Sequence, residues 1–212
     1  MNEQQAKEDL VKYAGRLYQR GFVVGPGGNL SARLGKEFYI SPHGLTFEEL
    51  VTEDIVTFDL QSGNVIAGQR QPSWEFRVHR DIYLRESNIH AIIHVHPPYT
   101  IGLISGGMNL KPITPEFTHM GELPIIQYII PAGAELHNAI LAAVKKNNKG
   151  LLLKNHGFYT FGATIREAFY RAEQVEDASK TALMAKLAGN PRFLQDSEKE
   201  LIRDLPKRGL KD

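Results

Sequence analysis

Ala91-Ile92-Ile93-His94-Val95-His96-Pro97-Pro98 is the stretch on which the reading of this chain turns. An apolar run leads into two histidines with one residue between them, and two prolines stop it. Strand side chains alternate between faces, so His94 and His96 project the same way and Val95 the other. Two imidazoles close together on one face can begin a metal site, each presenting a neutral ring nitrogen. They can equally be hydrogen-bonded structural histidines, and spacing alone does not separate the two. A third histidine adds weight to the metal. Leu151-Leu152-Leu153 reads as a buried strand, and Asn155-His156-Gly157 stands at its exit, where functional groups tend to collect. Three histidines with an open position suit a catalytic zinc. Iron, manganese or cobalt can use the same ligands, whereas calcium and magnesium prefer oxygen.

Outward from these strands the chain alternates helical and extended patterns. Ala6, Leu10, Tyr13, Ala14 and Leu17 recur at spacings of three and four, which predicts a helix over 3–20. Gly25-Pro26-Gly27-Gly28-Asn29 is a tight loop. Short strands are expected at 30–33, 38–40 and 55–60, with turns at Ser41-Pro42-His43-Gly44 and Ser62-Gly63-Asn64 and a return strand at Val65-Ile66. Pro72-Ser73 opens a helix over 74–86 with Ser73 as its N-cap. A short helix over 98–105, a strand over 125–130, a helix over 133–146 and a hairpin partner over 158–161 follow. Ile165, Ala168, Phe169, Ala172, Val175, Ala182 and Leu183 form one apolar stripe of a helix over 165–188. The charged segment 196–212 reads as a solvated extension. The sum is one α/β domain spanning 1–212.

Composition narrows the function. The chain has 212 residues, 42% of them hydrophobic and 23% charged, with a net charge of +1. That suits a globular core and offers no electrostatic capture of nucleic acid or membrane. Without cysteine there is no disulfide, thiolate ligand or thiol nucleophile. No apolar run reaches the roughly 20 residues of a membrane span. The N-terminus has neither a signal nor a transit pattern, so a cytoplasmic protein is the expectation.

A metal polarises a carbonyl, but a proton must still move. Glu75 is the candidate carrier, in the first turn of the helix opened by Pro72-Ser73, where the helix dipole favours a carboxylate. The same placement also describes an ordinary N-terminal glutamate. His79, four residues on, reads as a packing or hydrogen-bonding residue.

Gly27-Gly28-Asn29-Leu30-Ser31, Ser41-Pro42-His43-Gly44, Pro72-Ser73-Trp74-Glu75, His94-Val95-His96 and Asn155-His156-Gly157 stand in an order that resembles the class II aldolase/adducin family over roughly residues 5–188. The resemblance implies a three-layer α/β/α sandwich with a mainly antiparallel central sheet. It also implies a homotetramer with active sites at subunit interfaces. His94, His96 and His156 take the zinc-ligand positions and Glu75 the acid/base position. Gly28, Asn29, Gly44 and Ser73 match positions that hold a substrate phosphate. Glycine turns presenting free N–H groups, with Asn and Ser as added donors, make a reasonable anion cradle. The implied reaction is retro-aldol cleavage of a small hydroxylated ketone or sugar phosphate through an enediolate. Decarboxylation, dehydration and 4-epimerisation share that chemistry, and adducin-like members are non-enzymatic scaffolds.

Four departures from the family pattern stand out. Pro26, His43 and Trp74 replace hydroxyl residues of the phosphate loops, which points to a poorer phosphate cradle. Trp74 also reads as a packing residue. In the segment where the aldolases place a tyrosine supplied across a subunit interface, this chain has Ile113-Thr114-Pro115-Glu116-Phe117-Thr118-His119. Glu116 matches a catalytic glutamate of related dehydratases and is the candidate second acid/base, with His119 as a possible assistant. An interface ion pair would account for Glu116 as well.

Overall fold

The strand that opens at Ala91 lies in the middle of an eight-stranded sheet. The computed structural model describes residues 2–208. Its strands are β1 (Asn29–Leu34), β2 (Glu37–Ile40), β3 (Val56–Asp59), β4 (Val65–Ala67), β5 (Ala91–Val95), β6 (Ile125–Ile126), β7 (Gly150–Leu153) and β8 (Gly157–Gly162). They lie in the order β4-β3-β2-β1-β5-β8-β7-β6. Neighbours run antiparallel except β6 and β7, which are parallel. The helices are α1 (Glu3–Gln19), α2 (Phe76–Arg85), α3 (Pro98–Ser105), α4 (Ala134–Ala143), α5 (Ile165–Ala188) and α6 (Asp196–Arg208). Among the described residues no helix is long and apolar enough to cross a membrane.

Alternation along the strands sorts the apolar residues into two cores. Leu30, Ala32, Ile93, Val95 and Phe158 face Leu10 and Leu17 of α1 and Ala168, Phe169 and Ala172 of α5. Phe38, Ile40, Ile92, Tyr159 and Phe161 face Val78 and Ile82 of α2 and Leu136 and Ile140 of α4. The three-layer α/β/α architecture follows from covering both faces of one sheet. Residues directly opposite in an antiparallel ladder share a face. Asn29 pairs with His94 and His94 with Tyr159, so these three side chains line one row across β1, β5 and β8.

Three local expectations change. Ser73 does not cap α2: the helix begins at Phe76 with Glu75 at the N-cap position and no side-chain cap. Ser73 Oγ instead accepts from the Glu75 N–H at 3.3 Å, and the Ser73 N–H donates to Ser41 O at 3.3 Å. The segment is thus tied to the loop after β2 before the helix can start. The strand expected over 125–130 shortens to Ile125–Ile126. Tyr128 and Ile130 are exposed and Ile129 packs on the second core, but the ladder stops at Ile126 because its partner β7 ends at Leu153. The charged tail is not a bare extension: Asp196–Arg208 is helical. The Gln195 N–H donates to Glu198 Oε2 at 2.8 Å, Lys199 pairs with Asp196 at 2.6 Å, and Arg203 donates to Thr118 O at 3.4 Å. Residues 209–212 of that expected tail lie outside the described residues.

Gly157 shows how tightly the fold closes beside the third histidine. A Cβ there would stand 2.2 Å from Val95 O and 2.8 Å from His96 Cδ2. Gly157→Ala is expected to cost about 2–3 kcal/mol through forced overpacking. It should also lower metal affinity, because His96 must move. Urea unfolding with zinc titration checks both; a variant as stable as the parent would contradict the packing.

Candidate metal centre

The three histidines arrive from two places. His94 is the fourth residue of β5, and His96 follows the strand end, with its N–H donating to Phe22 O at 3.0 Å. His156 sits in the short connection between β7 and β8. Asn155 takes φ 57° there, a left-handed conformation that Asn adopts more readily than most residues. The Asn155 N–H donates to Ser105 Oγ at 3.1 Å. The turn therefore carries His156 back over the end of β5.

One ligand nitrogen from each of His94, His96 and His156 falls within 4.8 Å of the others. The Nε2 atoms of His94 and His96 are 2.9 Å apart. The His156 ring centroid is 4.9 Å from each of the other two. His94 Nδ1 lies 3.0 Å from Phe158 O. A carbonyl can only accept, so Nδ1 carries the proton and Nε2 offers its lone pair inward, the usual way an outer partner orients a ligating imidazole. Burial pushes all three imidazoles down: His94 well below the ordinary histidine value, His96 to about 3, and His156 in the same direction. The positive charge of a neighbouring ring adds to this for His94 and His96. His156 Nδ1 is buried without a hydrogen bond. Neutral, converging nitrogens with one left unpaired are the donor set that a divalent transition metal requires.

Glu75 stands beside this cluster. Its Oε2 accepts from Asn29 Nδ2 at 2.7 Å and lies 3.5 Å from His94 Nε2. Gly28 precedes Asn29 with φ 76°, and a Cβ on it would meet His94 O at 2.7 Å and Val23 at 2.8 Å. No side chain fits between this loop and β5. The third loop joins through the backbone: the His43 N–H donates to Gln71 O at 2.8 Å, and Pro42 and Pro72 form an isolated bridge. Ser73 thus lies beside Glu75, on a segment bonded to the loop that carries Gly44. Above them the His43 ring stacks on Trp74, centroids 4.2 Å apart. Trp74 is 61% exposed, so it is a surface element and not a core residue.

Glu116 is not brought to the cluster within one chain. It opens a 3-10 helix (Glu116–Met120) and is exposed, sharing a groove with Arg20, Tyr99, Glu173 and Asp177. His119 is also exposed, and its carbonyl accepts from Lys149. Tyr159, by contrast, is a site neighbour that sequence spacing does not reveal. Its ring lies flat on His94 at 4.2 Å, and burial first, then the charge of Glu75, raises its phenol well above the ordinary value. Only the β5–β8 register places it there.

Residues 8–183 match the family described as the class II aldolase and adducin N-terminal domain. The chain is 34% identical to an L-fuculose phosphate aldolase of Methanococcus maripaludis over 173 residues, 81% of this chain and 93% of that protein. It is 30% identical to a 3-oxo-tetronate 4-phosphate decarboxylase of Haemophilus influenzae, over 99% of this chain and 100% of that protein. The crystal structure of YgbL from Klebsiella pneumoniae superposes with a TM-score of 0.87 at 30% identity, covering 96% of this chain and 100% of that one.

The buried imidazoles make stability depend on pH. His79, fully buried, is pushed down to about 4, chiefly by burial. An unfolded histidine takes up a proton near pH 6.5, so below that the unfolded chain binds more protons and stability falls with pH. For His79 alone the loss between pH 7.5 and pH 5 is on the order of 2 kcal/mol, and His96 adds to it. Urea midpoints of metal-free protein across this range test the sign; a flat profile would contradict it.

Proposed function

We propose that this chain, which belongs to the class II aldolase and adducin family, is a zinc-dependent lyase that breaks a carbon–carbon bond in a small hydroxylated ketone or sugar phosphate. The observation that carries the reading is the convergence of three neutral histidine nitrogens on one point with Glu75 Oε2 3.5 Å from one of them. When bound, a divalent metal supplies Lewis-acid polarisation of the carbonyl and charge stabilisation for the enediolate left by cleavage. Zinc suits the all-imidazole set, and manganese, cobalt or iron can occupy it.

In this reading Glu75 exchanges the proton on the carbon that loses its bond, as a general acid/base within reach of the substrate. Asn29 holds the carboxylate in place through Oε2. Gly28, Asn29, Gly44 and Ser73 hold the anionic end of the substrate on backbone N–H, amide and hydroxyl donors. Glu116 is proposed as the second acid/base, contributed across the interface of a homotetramer. Its exposure, on a groove separate from its own chain's histidines, supports that assignment. A complete histidine set with a carboxylate beside it supports an enzyme over a scaffold.

Decarboxylation is the second reading. His43 and Trp74 stand where hydroxyls would grip phosphate, and they form a stacked pair at the cradle. The similarity to a decarboxylase extends over 99% of the chain. Both readings use the same electrophile and proton carrier and differ in the bond that breaks.

Glu75→Gln is expected to keep zinc and fold while kcat falls by at least about 100-fold. His94→Ala should lose stoichiometric zinc. Elemental analysis and turnover on a panel of sugar phosphates and 3-oxo acids, scoring aldehyde against carbon dioxide, test both readings. Wild-type turnover by Glu75→Gln would remove it as the proton carrier. A purified protein that takes up no metal would end the proposal.

A further inference from the structure

Behind Glu75 lies a row of buried polar groups that the proposed reaction does not use. Ser31, His79, Tyr83 and Tyr159 are each no more than 1% exposed. Ser31 Oγ is 2.6 Å from the Tyr83 hydroxyl and 2.7 Å from His79 Nδ1. Neither contact sets its own proton direction; the need to pair every buried polar group selects one. Ser31 is the side-chain partner of the Tyr83 hydroxyl, whose oxygen also faces the Ile92 backbone N–H, a group that can only donate. The phenol must donate to it or bury its O–H unpaired, which costs the full desolvation of that group. Ser31 then gives its own proton to His79 Nδ1, which accepts. The imidazole is neutral, so its proton sits on Nε2.

That Nε2 is buried and makes no hydrogen bond; the Tyr159 hydroxyl is buried with none of normal geometry, and the Glu75 carboxylate is the acceptor close enough to raise its phenol. The two rings meet edge to face with centroids 5.9 Å apart. Tyr159 lies flat on His94, and Glu75 sits one helical turn before His79, whose N–H donates to Glu75 O at 3.2 Å. Two orphaned groups therefore adjoin the proton carrier. Hydrogen bonds of this kind are often long in a free enzyme and tighten in the loaded one.

We infer that His79 is a positioning residue for Glu75, acting through Tyr159 at the end of a one-way chain of donors. The order runs Tyr83 O–H to Ser31, Ser31 O–H to His79 Nδ1, His79 Nε2–H to the Tyr159 hydroxyl, and Tyr159 O–H to the Glu75 carboxylate. Each member has one proton, and only this order uses all four. Asn29 holds the carboxylate from one side and Tyr159 from the other, which fixes its plane against the metal cluster. The inference rests on Glu75 being the proton carrier.

Long-range 1H–15N correlation on full-length, 15N-histidine-labelled protein tests the chain without reference to activity. The His79 signals are identified by their loss in His79→Gln. Across about pH 6 to 8 the ring should show a bare Nδ1 and a protonated Nε2; a proton on Nδ1, or a charged ring, overturns the inference. Kinetics supply the second arm. His79→Leu should lower kcat about 10–100-fold, as losses of outer hydrogen-bonding partners do, with KM and zinc content little changed. His79→Gln, which can place an amide N–H where Nε2–H stood, should recover most of the rate. Tyr159→Phe should reproduce the loss and serves if His79→Leu does not fold. A glutamine variant as slow as leucine, or a change confined to KM, would show a merely structural role. If wild-type protein cleaves no substrate, the proposed function fails while the NMR arm still decides the donor chain.

Discussion

Three imidazoles can crowd one small volume only if each turns an unprotonated nitrogen toward it, and here burial enforces that condition. A charged ring among them would meet both desolvation and like-charge repulsion. The neutral state in turn demands that each ring be held by something other than charge. His94 is held by the Phe158 carbonyl and by Tyr159 lying flat against it, and His96 by its place at the strand end, where the backbone bonds to Phe22. His156 is carried by the left-handed turn at Asn155. The centre of the sheet is where such holding is cheapest. β5 is hydrogen-bonded on both edges, by β1 and β8, and covered on both faces.

The carboxylate reaches this centre by a different route. Glu75 belongs to no strand and precedes its helix. Two proline-containing loops, 41–44 and 71–75, clamp each other by backbone hydrogen bonds before α2 begins. The cost is an uncapped helix start. The gain is that an N-terminal carboxylate meets Asn29, which the β1–β5 register places opposite His94. A residue that would otherwise serve helix stability is held instead on Asn29 beside the histidine cluster, and functional sites are where local rules are commonly broken.

That distinction explains what the sequence made legible. The histidine trio rests on local rules: alternation within β5 for His94 and His96, and a strand exit for His156. Helix α5 was readable because an apolar stripe runs from Ile165 to Ala182 and Asn190-Pro191 marks its end. The strand over 125–130 is shorter than its composition suggests because β-branched residues do not say how far a pairing partner extends, and β7 ends opposite Ile126. The tail misled because its charges pair along one helix, Lys199 with Asp196, instead of solvating a coil. Tyr159 and the Ser31–His79–Tyr83 row were unreadable for a deeper reason. They meet across strand registers and between sheet and helix, and no spacing along the chain encodes those pairings before the fold exists.

The substrate end of the site shows why one scaffold can serve several bond cleavages. The histidine cluster sits at the end of the central strands, where small shifts are costly, and Glu75 is tied to it through Asn29 of β1. Gly28, Gly44 and Ser73 sit on loops, where substitution is tolerated. Here those loops carry His43 stacked on an exposed Trp74. A hydroxyl grips a tetrahedral phosphate by donating from a point. A stacked imidazole presents a flat face and a donor edge, which suits a planar carboxylate or a larger ring at least as well. Under the proposed function, selection of the substrate and breakage of its bond would be carried by separable parts of the molecule. Relatives that differ in reaction need differ only in what the loops orient above a shared centre.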